Sequence, residues 1–147
     1  MAQRGPHPLL FLTLVLLAAG WAQLSEGSGY FDFVDRHQDK PKTFAFDDRH
    51  YCDIMMKRRG LTHPSCEPTN SFIHSTASQL QDICSHTGTH VSATLYDSKA
   101  SFNVTTCRVL YGSVPLDGKY RVAIGNTEIH VACLWWLPVR LEPTYLP

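Results

Sequence analysis

An α+β domain stapled by disulfides is the fold class this sequence predicts, and three observations predict it. Past residue 22, the first half of the chain spaces apolar residues at helical intervals and marks helix ends with capping residues. The second half changes to a period of two and is rich in β-branched and aromatic residues, so helices come first and antiparallel strands later. All five cysteines, Cys52, Cys66, Cys84, Cys107 and Cys133, fall in this stretch. Disulfides supplement the modest core available to a domain of this size.

Phe31, Val34 and Gln38 stand at i, i+3 and i+7, which predicts an amphipathic helix from Tyr30 to Gln38, ended by Asp39-Lys40-Pro41. A second helix fits Asp48 to Arg59, stopped by Gly60 in the position that favours a left-handed residue. A third opens with Thr76 as N-cap and Gln79 three residues on, and brings Leu80, Ile83 and Cys84 to one face. Strands are predicted at Val91 to Tyr96, Phe102 to Tyr111, Lys119 to Ile124 and Glu128 to Trp135. Gly125-Asn126, with glycine first, suits a type II′ hairpin turn between the last two.

The first residues address the chain. Arg4 precedes an uncharged apolar run from Leu9 to Ala19, and Gly20-Trp21-Ala22 supplies small residues at −3 and −1 of a cleavage site. This is the layout of a secretory signal, residues 1–22, leaving one domain over 23–147 that is expected to be secreted and extracellular. No later stretch is apolar enough to span a bilayer. The leader holds one of the 13 basic residues and none of the 13 acids, so the remaining chain carries a net charge of about −1 with histidines neutral. A strongly basic domain is the usual footprint of nucleic-acid binding, and it is absent here. One local basic cluster remains, Lys57-Arg58-Arg59, which reads equally as a polyanion patch or as a helix end favoured by the macrodipole.

Four stretches carry a resemblance. Tyr51-Cys52-Asp53-Ile54-Met55-Met56-Lys57-Arg58-Arg59-Gly60-Leu61-Thr62 looks like the second helix of the angiogenins. Cys66-Glu67-Pro68-Thr69-Asn70-Ser71-Phe72-Ile73-His74 resembles the signature Cys-Lys-x-x-Asn-Thr-Phe-x-His of the pancreatic ribonuclease superfamily. Phe102 to Cys107, and Val131-Ala132-Cys133 followed by Leu137-Pro138-Val139, follow the same pattern. The resemblance implies a V-shaped antiparallel sheet with three helices and the bridges Cys52–Cys107 and Cys84–Cys133. The family's partner for Cys66 would fall near Gly118, where there is no cysteine. Cys66 is then either a buried inert thiol or an intermolecular bridge that makes a dimer.

The family cleaves RNA without metal or cofactor. A neutral His takes the 2′-OH proton, a Lys stabilises the phosphorane-like transition state, and a protonated His delivers a proton to the leaving oxygen. On this sequence the first His falls on His37, the Lys on Glu67 and the second His on Arg140. An arginine can hold a phosphate but cannot release a proton near neutral pH. Glu67 puts an anion where transition-state charge should collect. Arg140 therefore reads either as an anion site or as a salt-bridge partner of Glu67. Asn70, Ser71 and Phe72 occupy the substrate-binding signature, with Ser71 in place of a base-reading Thr.

Leu134 stands where the family often has an acid, and Glu142 where it has Asp. Trp135-Trp136 reads as an exposed surface or as packing, with packing favoured. His86 and His90 lie in a loop that reads as solvated polar chain rather than a metal site. Asn103-Val104-Thr105 is an N-glycosylation sequon. The expected function is an extracellular binding, signalling or host-defence module with impaired catalysis, with RNA or another polyanion, a receptor or a glycosaminoglycan as partner. The rival is a low-activity, pyrimidine-preferring endoribonuclease using His37.

Overall fold

The structure, a computed structural model, describes residues 29–110 and 118–143. The proposed leader over 1–22 and the predicted end of a strand at Tyr111 lie outside these residues. Helix α1 covers 29–37, α2 covers Asp48–Arg58, and α3 covers Ala77–Asp82 before widening into a π-helical turn, Ile83–Thr87. Among the described residues seven strands follow or interleave: β1 Thr69–Ile73, β2 Thr89–Ser92, β3 Leu95–Asp97, β4 Phe102–Val109, β5 Tyr120–Thr127, β6 His130–Leu134 and β7 Leu137–Leu141. They form two antiparallel sheets, ordered β1-β4-β5 and β2-β3-β6-β7, the two arms of the V.

The helix ends form by local hydrogen bonding. The Asp47 carboxylate caps α2 by accepting from the His50 N–H at 2.8 Å, and Gly60 closes it at φ 73°. Thr76 and Gln79 exchange side chain and backbone in a capping box. The π-helical turn ends at Gly88, where any Cβ would lie 2.1 Å from the Ile83 carbonyl oxygen, so only glycine fits.

Two apolar clusters form the core, each built around one disulfide. Phe33 of α1, Leu80, Ile83, Val104, Ile129 and Val131 pack about Cys84–Cys133. Tyr51, Met55 and Met56 of α2, with Phe72, Leu61 and Tyr120, pack about Cys52–Cys107. The bridges span 55 and 49 residues, with Cα–Cα distances of 5.6 and 5.7 Å.

Several sequence expectations are corrected. The inward face of α1 carries Phe33 and Val34, while Phe31 is exposed. The segment from Val91 to Tyr96 is two strands broken by a turn, with Ala93 at φ 43°. Gly125-Asn126 is not a turn: β5 runs through it, pairing Gly125 with Val104 and Asn126 with Asn103. β5 and β6 lie in different sheets, and Glu128-Ile129 makes the crossing. Two strands carried no sequence signal, β1 and β7. Leu134 pairs with Leu137, so Trp135-Trp136 is the two-residue turn of the β6–β7 hairpin. Both tryptophans are exposed and sit at φ 51° and 62°, which overturns the packing reading. A type I′ turn needs positive φ at both positions and favours Asn-Gly. Bulky residues there cost about 1–3 kcal/mol each.

Cys66 is half-buried and outside both bridges, beside Tyr120 in the second cluster. A Cβ built on Gly118 would lie 3.1 Å from the Cys66 sulfur. In a bridged pair one Cβ stands about 3 Å from the partner sulfur, so Gly118→Cys is expected to close a third disulfide. Closing a loop of this length stabilises by up to about 4 kcal/mol. Gly118 has φ 29°, so a Cβ there offsets part of that gain. We expect loss of the thiol in a labelling assay and a melting temperature a few degrees higher, reversed by reductant.

Candidate functional site

The largest of the described cavities, about 510 Å³, opens between α1, the start of β1 and β7. It brings His37, Glu67 and Arg140 together, three residues far apart in sequence, with Asn70 alongside. Asp32 and Arg36 line it too, and the sequence reading had not singled them out. The opposite charges at i and i+4 on α1 were the available signal.

α1 delivers His37 to the cleft because its inward face is anchored by Phe33, whose ring lies 5.2 Å from the imidazole. The His37 Nδ1–H donates to the Ser71 carbonyl at 2.9 Å. That assigns the tautomer and leaves the lone pair on Nε2. Burial lowers the His37 pKa to about 4, opposed in part by the Ser71 hydrogen bond. The ring is therefore neutral at physiological pH, the state a general base needs.

Its neighbours have other partners. Glu67 accepts a hydrogen bond from Arg36 Nη1 at 3.1 Å, and Arg36 also meets Asp32 at 3.3 Å. Arg140 does not pair with Glu67. It places Nε and Nη2 on the same Glu142 oxygen, at 2.9 and 2.8 Å, and its side chain is exposed. The backbone at Glu67 is pinned on both sides: its N–H donates to Leu61 O at 2.8 Å and its carbonyl accepts from the Tyr120 hydroxyl at 3.0 Å.

The signature residues divide between site and scaffold. The Asn70 side chain donates to Arg36 O at 2.9 Å and holds α1 against β1. The Ser71 hydroxyl is buried against the Thr106 hydroxyl at 2.7 Å, its cross-strand partner. Phe72 is a core residue packed edge-on to Tyr51. In the basic cluster only Lys57 and Arg58 are exposed. Arg59 turns inward, donating to the backbone carbonyls of Asp35 and Gln38 at the end of α1. Asn103 is exposed on β4 and accepts from the Asn126 amide at 2.8 Å. His90 donates to the Ala93 carbonyl at 2.8 Å, and no group of three metal ligands occurs among the described residues.

Residues 29–147 match the family model described as pancreatic ribonuclease. A ribonuclease of Chelydra serpentina is 42% identical over 113 residues, covering 77% of this chain and 95% of its own. Angiogenin of Mus musculus is 40% identical over 143 residues, covering 96% and 94%. The crystal structure of green turtle egg white ribonuclease superposes with a TM-score of 0.76 at 39% identity, covering 80% of this chain and 98% of that one.

The lowered His37 pKa makes a stability prediction. Between about pH 6.5 and 4 the unfolded chain binds a proton at this imidazole and the folded chain does not, so stability falls as pH falls. The full shift is worth roughly 3 kcal/mol. His74, also shifted down, acts in the same direction as pH falls below 6.5, and Asp39 does so only below about pH 4. We therefore expect His37→Gln to flatten the urea-unfolding free energy between pH 6.5 and 4 relative to wild type. An NMR titration placing the His37 midpoint near 6.5 would contradict the account.

Proposed function

The chain belongs to the pancreatic ribonuclease family, and on that premise we propose that it acts outside the cell as a binding or signalling module of angiogenin-like or host-defence type, with little or no RNA cleavage. The observation that carries this reading is the Arg36–Glu67 ion pair beside His37. Transphosphorylation builds negative charge on the phosphorane oxygens and needs preorganised cationic or hydrogen-bonding groups aimed at them. Here a carboxylate stands in that region and takes up the nearest guanidinium. The second requirement, a proton for the leaving 5′-oxygen, falls on Arg140, which stays charged across the physiological range. Its guanidinium is also engaged by Glu142. Loss of one general acid–base group typically costs about 10²–10⁴ in rate.

Secretion rests on the leader-like residues 1–22. The exposed Lys57 and Arg58 at the end of α2 suit a polyanion such as RNA or a glycosaminoglycan, and the solvent-facing Asn103 suits N-glycosylation. A cell-surface receptor and a dimer through Cys66 belong to the same reading. One observation favours the rival, a low-activity pyrimidine-preferring endoribonuclease. His37 is held neutral with its Nε2 lone pair available, as the base step requires.

Two expected outcomes separate them. Purified protein should show no cleavage of single-stranded RNA beyond that of His37→Ala prepared in parallel; turnover abolished by His37→Ala would establish the rival. The double substitution Glu67→Lys with Arg140→His should restore His37-dependent cleavage by more than the two single changes combined, because each group acts poorly without the other. Glu67→Lys sets an ammonium beside Arg36, which keeps Asp32 as its partner. A folded double mutant no more active than wild type would mean that the cleft has lost its fit to RNA.

A further inference from the structure

A second cavity, of about 320 Å³, lies between Lys40, α3 and the facing ends of β4 and β5, and it shares no lining residue with the cleft. Resting on the reading of Asn103 as a glycosylation site, we propose that this cavity docks the innermost N-acetylglucosamine of a glycan on Asn103. The sugar then packs as part of the fold.

Asn103 stands in a row of residues that crosses the sheet along the cavity wall. Asn126 is its partner on β5, and on the other side the His74 N–H donates to Asn103 O at 2.9 Å. All three line the cavity. Phe102 and Val104 are buried on either side, while Asn103 is exposed. The Asn126 amide donates to Asn103 Oδ1 at 2.8 Å. That bond holds the carboxamide by its oxygen and leaves Nδ2, the atom that carries a glycan, without a partner among the described residues. The Thr105 hydroxyl, which glycosyl transfer must reach, is 0% exposed and donates to His74 Nε2 at 2.8 Å. Attachment therefore precedes the folding of β4. Asn103 Nδ2 bonds to C1 of a sugar carried on a polyprenyl diphosphate. The C1–O bond breaks with its electron pair on the diphosphate, and the amide gives up one proton. Folding then forms the cavity beside a sugar already present.

The polar groups of the cavity match a neutral, hydroxyl-rich ligand. Among the described residues, Lys40, Asp82, Thr87 and Ser101 make no side-chain hydrogen bond or ion pair. Gln79 uses only Oε1, which accepts from the Thr76 N–H at 3.0 Å, so its amide donors are available. The rim thus presents one cation, one carboxylate, and amide and hydroxyl groups. A carboxylate accepts from a sugar hydroxyl or the acetamido N–H, and an ammonium donates to the acetamido carbonyl. A phosphate would be drawn to Lys40 and repelled by Asp82. Ala100 and Phe102 supply an apolar surface for the acetamido methyl. The covalent tether makes weak recognition sufficient. A short flexible link gives an effective concentration in the millimolar range, so an intrinsic affinity of that order keeps the sugar docked about half the time.

The test uses glycoprotein collected from the medium of cells that make high-mannose glycans. Mass spectrometry of the Asn103 peptide first reads occupancy; an unmodified Asn103 overturns the glycosylation reading and the docking with it. Trimming with endoglycosidase H then leaves the single innermost sugar. We expect nuclear Overhauser contacts from its acetamido methyl to the Thr87 methyl, the Ala100 methyl or the Phe102 ring. Release of the untrimmed glycan by peptide-N-glycosidase should be at least about tenfold faster from native Lys40→Ala/Asp82→Ala than from native wild type. If that variant folds poorly, the contacts in wild type decide alone. An occupied Asn103 without those contacts, or with equal release, overturns the docking and leaves glycosylation standing. Asn103→Gln protein titrated with N,N′-diacetylchitobiose should shift its Thr87 and Ser101 amide resonances in the millimolar range. A response to inorganic phosphate in place of the disaccharide makes the cavity an anion site and overturns the proposal. No response to the disaccharide overturns it as well, because a tether of millimolar effective concentration cannot then hold the sugar.

Discussion

Asp39 is buried where the end of α1, the loop into α2 and the end of β1 converge, and its hydrogen bonds hold these parts together. One carboxylate oxygen accepts from the Thr43 N–H at 3.0 Å and the Tyr51 hydroxyl at 2.6 Å, and the other accepts from the Thr43 hydroxyl at 2.8 Å. Its own N–H donates to Ile73 O at 3.0 Å, and its carbonyl accepts from His74 Nδ1 at 2.8 Å. Arg59 approaches from α2 at 3.7 Å while also binding the last carbonyls of α1. A buried carboxylate is tolerable only when its lone pairs are satisfied this fully. These contacts depress its pKa despite burial, so it stays ionised in the folded protein. Because His37 lies two residues earlier on the same chain, the network that locks α1 to β1 also sets the depth at which the imidazole enters the cleft.

The scaffold and the chemistry of the cleft are thus supported by different interactions. Asn70, Ser71 and Phe72 serve packing and inter-element hydrogen bonds that do not pass through the side chain at position 67. The Arg36–Glu67 and Arg140–Glu142 pairs are partly solvated and worth little to stability, of the order of 0–1 kcal/mol each. Their weight is electrostatic. They leave a cleft whose cations are each matched by a carboxylate, in a domain with no compensating basic field.

Much of the fold was legible because its signals are local. Thr76 with Gln79 and Gly60 after α2 act across at most four residues, and a sequence displays such signals directly; the Asp47 cap acts over the same range and was missed. β1 was hidden because four of its five residues are buried, so both faces are apolar or satisfied and no alternation survives. β7 was hidden by Pro138, normally a strand breaker, which is accommodated here on an edge strand beside a register shift. Gly125-Asn126 carried a strong turn signal, and long-range pairing with β4 overrode it. In the site, the identities at 37, 67 and 140 could be read from the family pattern. Their partners could not, since Arg36 and Glu142 are selected by how α1 and β7 lie in space.

The backbone around Glu67 is fastened by Leu61, by Tyr120 and, one residue on, by the bond from Val109 N–H to Pro68 O. The side chain therefore hangs from a peptide frame that does not depend on its charge. Position 67 acts as a socket: the bonds that hold its backbone use no side-chain atom of Glu67. Along a mutational path, the charge at position 67 can then change with no poorly folded intermediate to cross, while turnover also needs a proton donor at position 140. No folding barrier at this position therefore preserves a cation there, and none blocks its return.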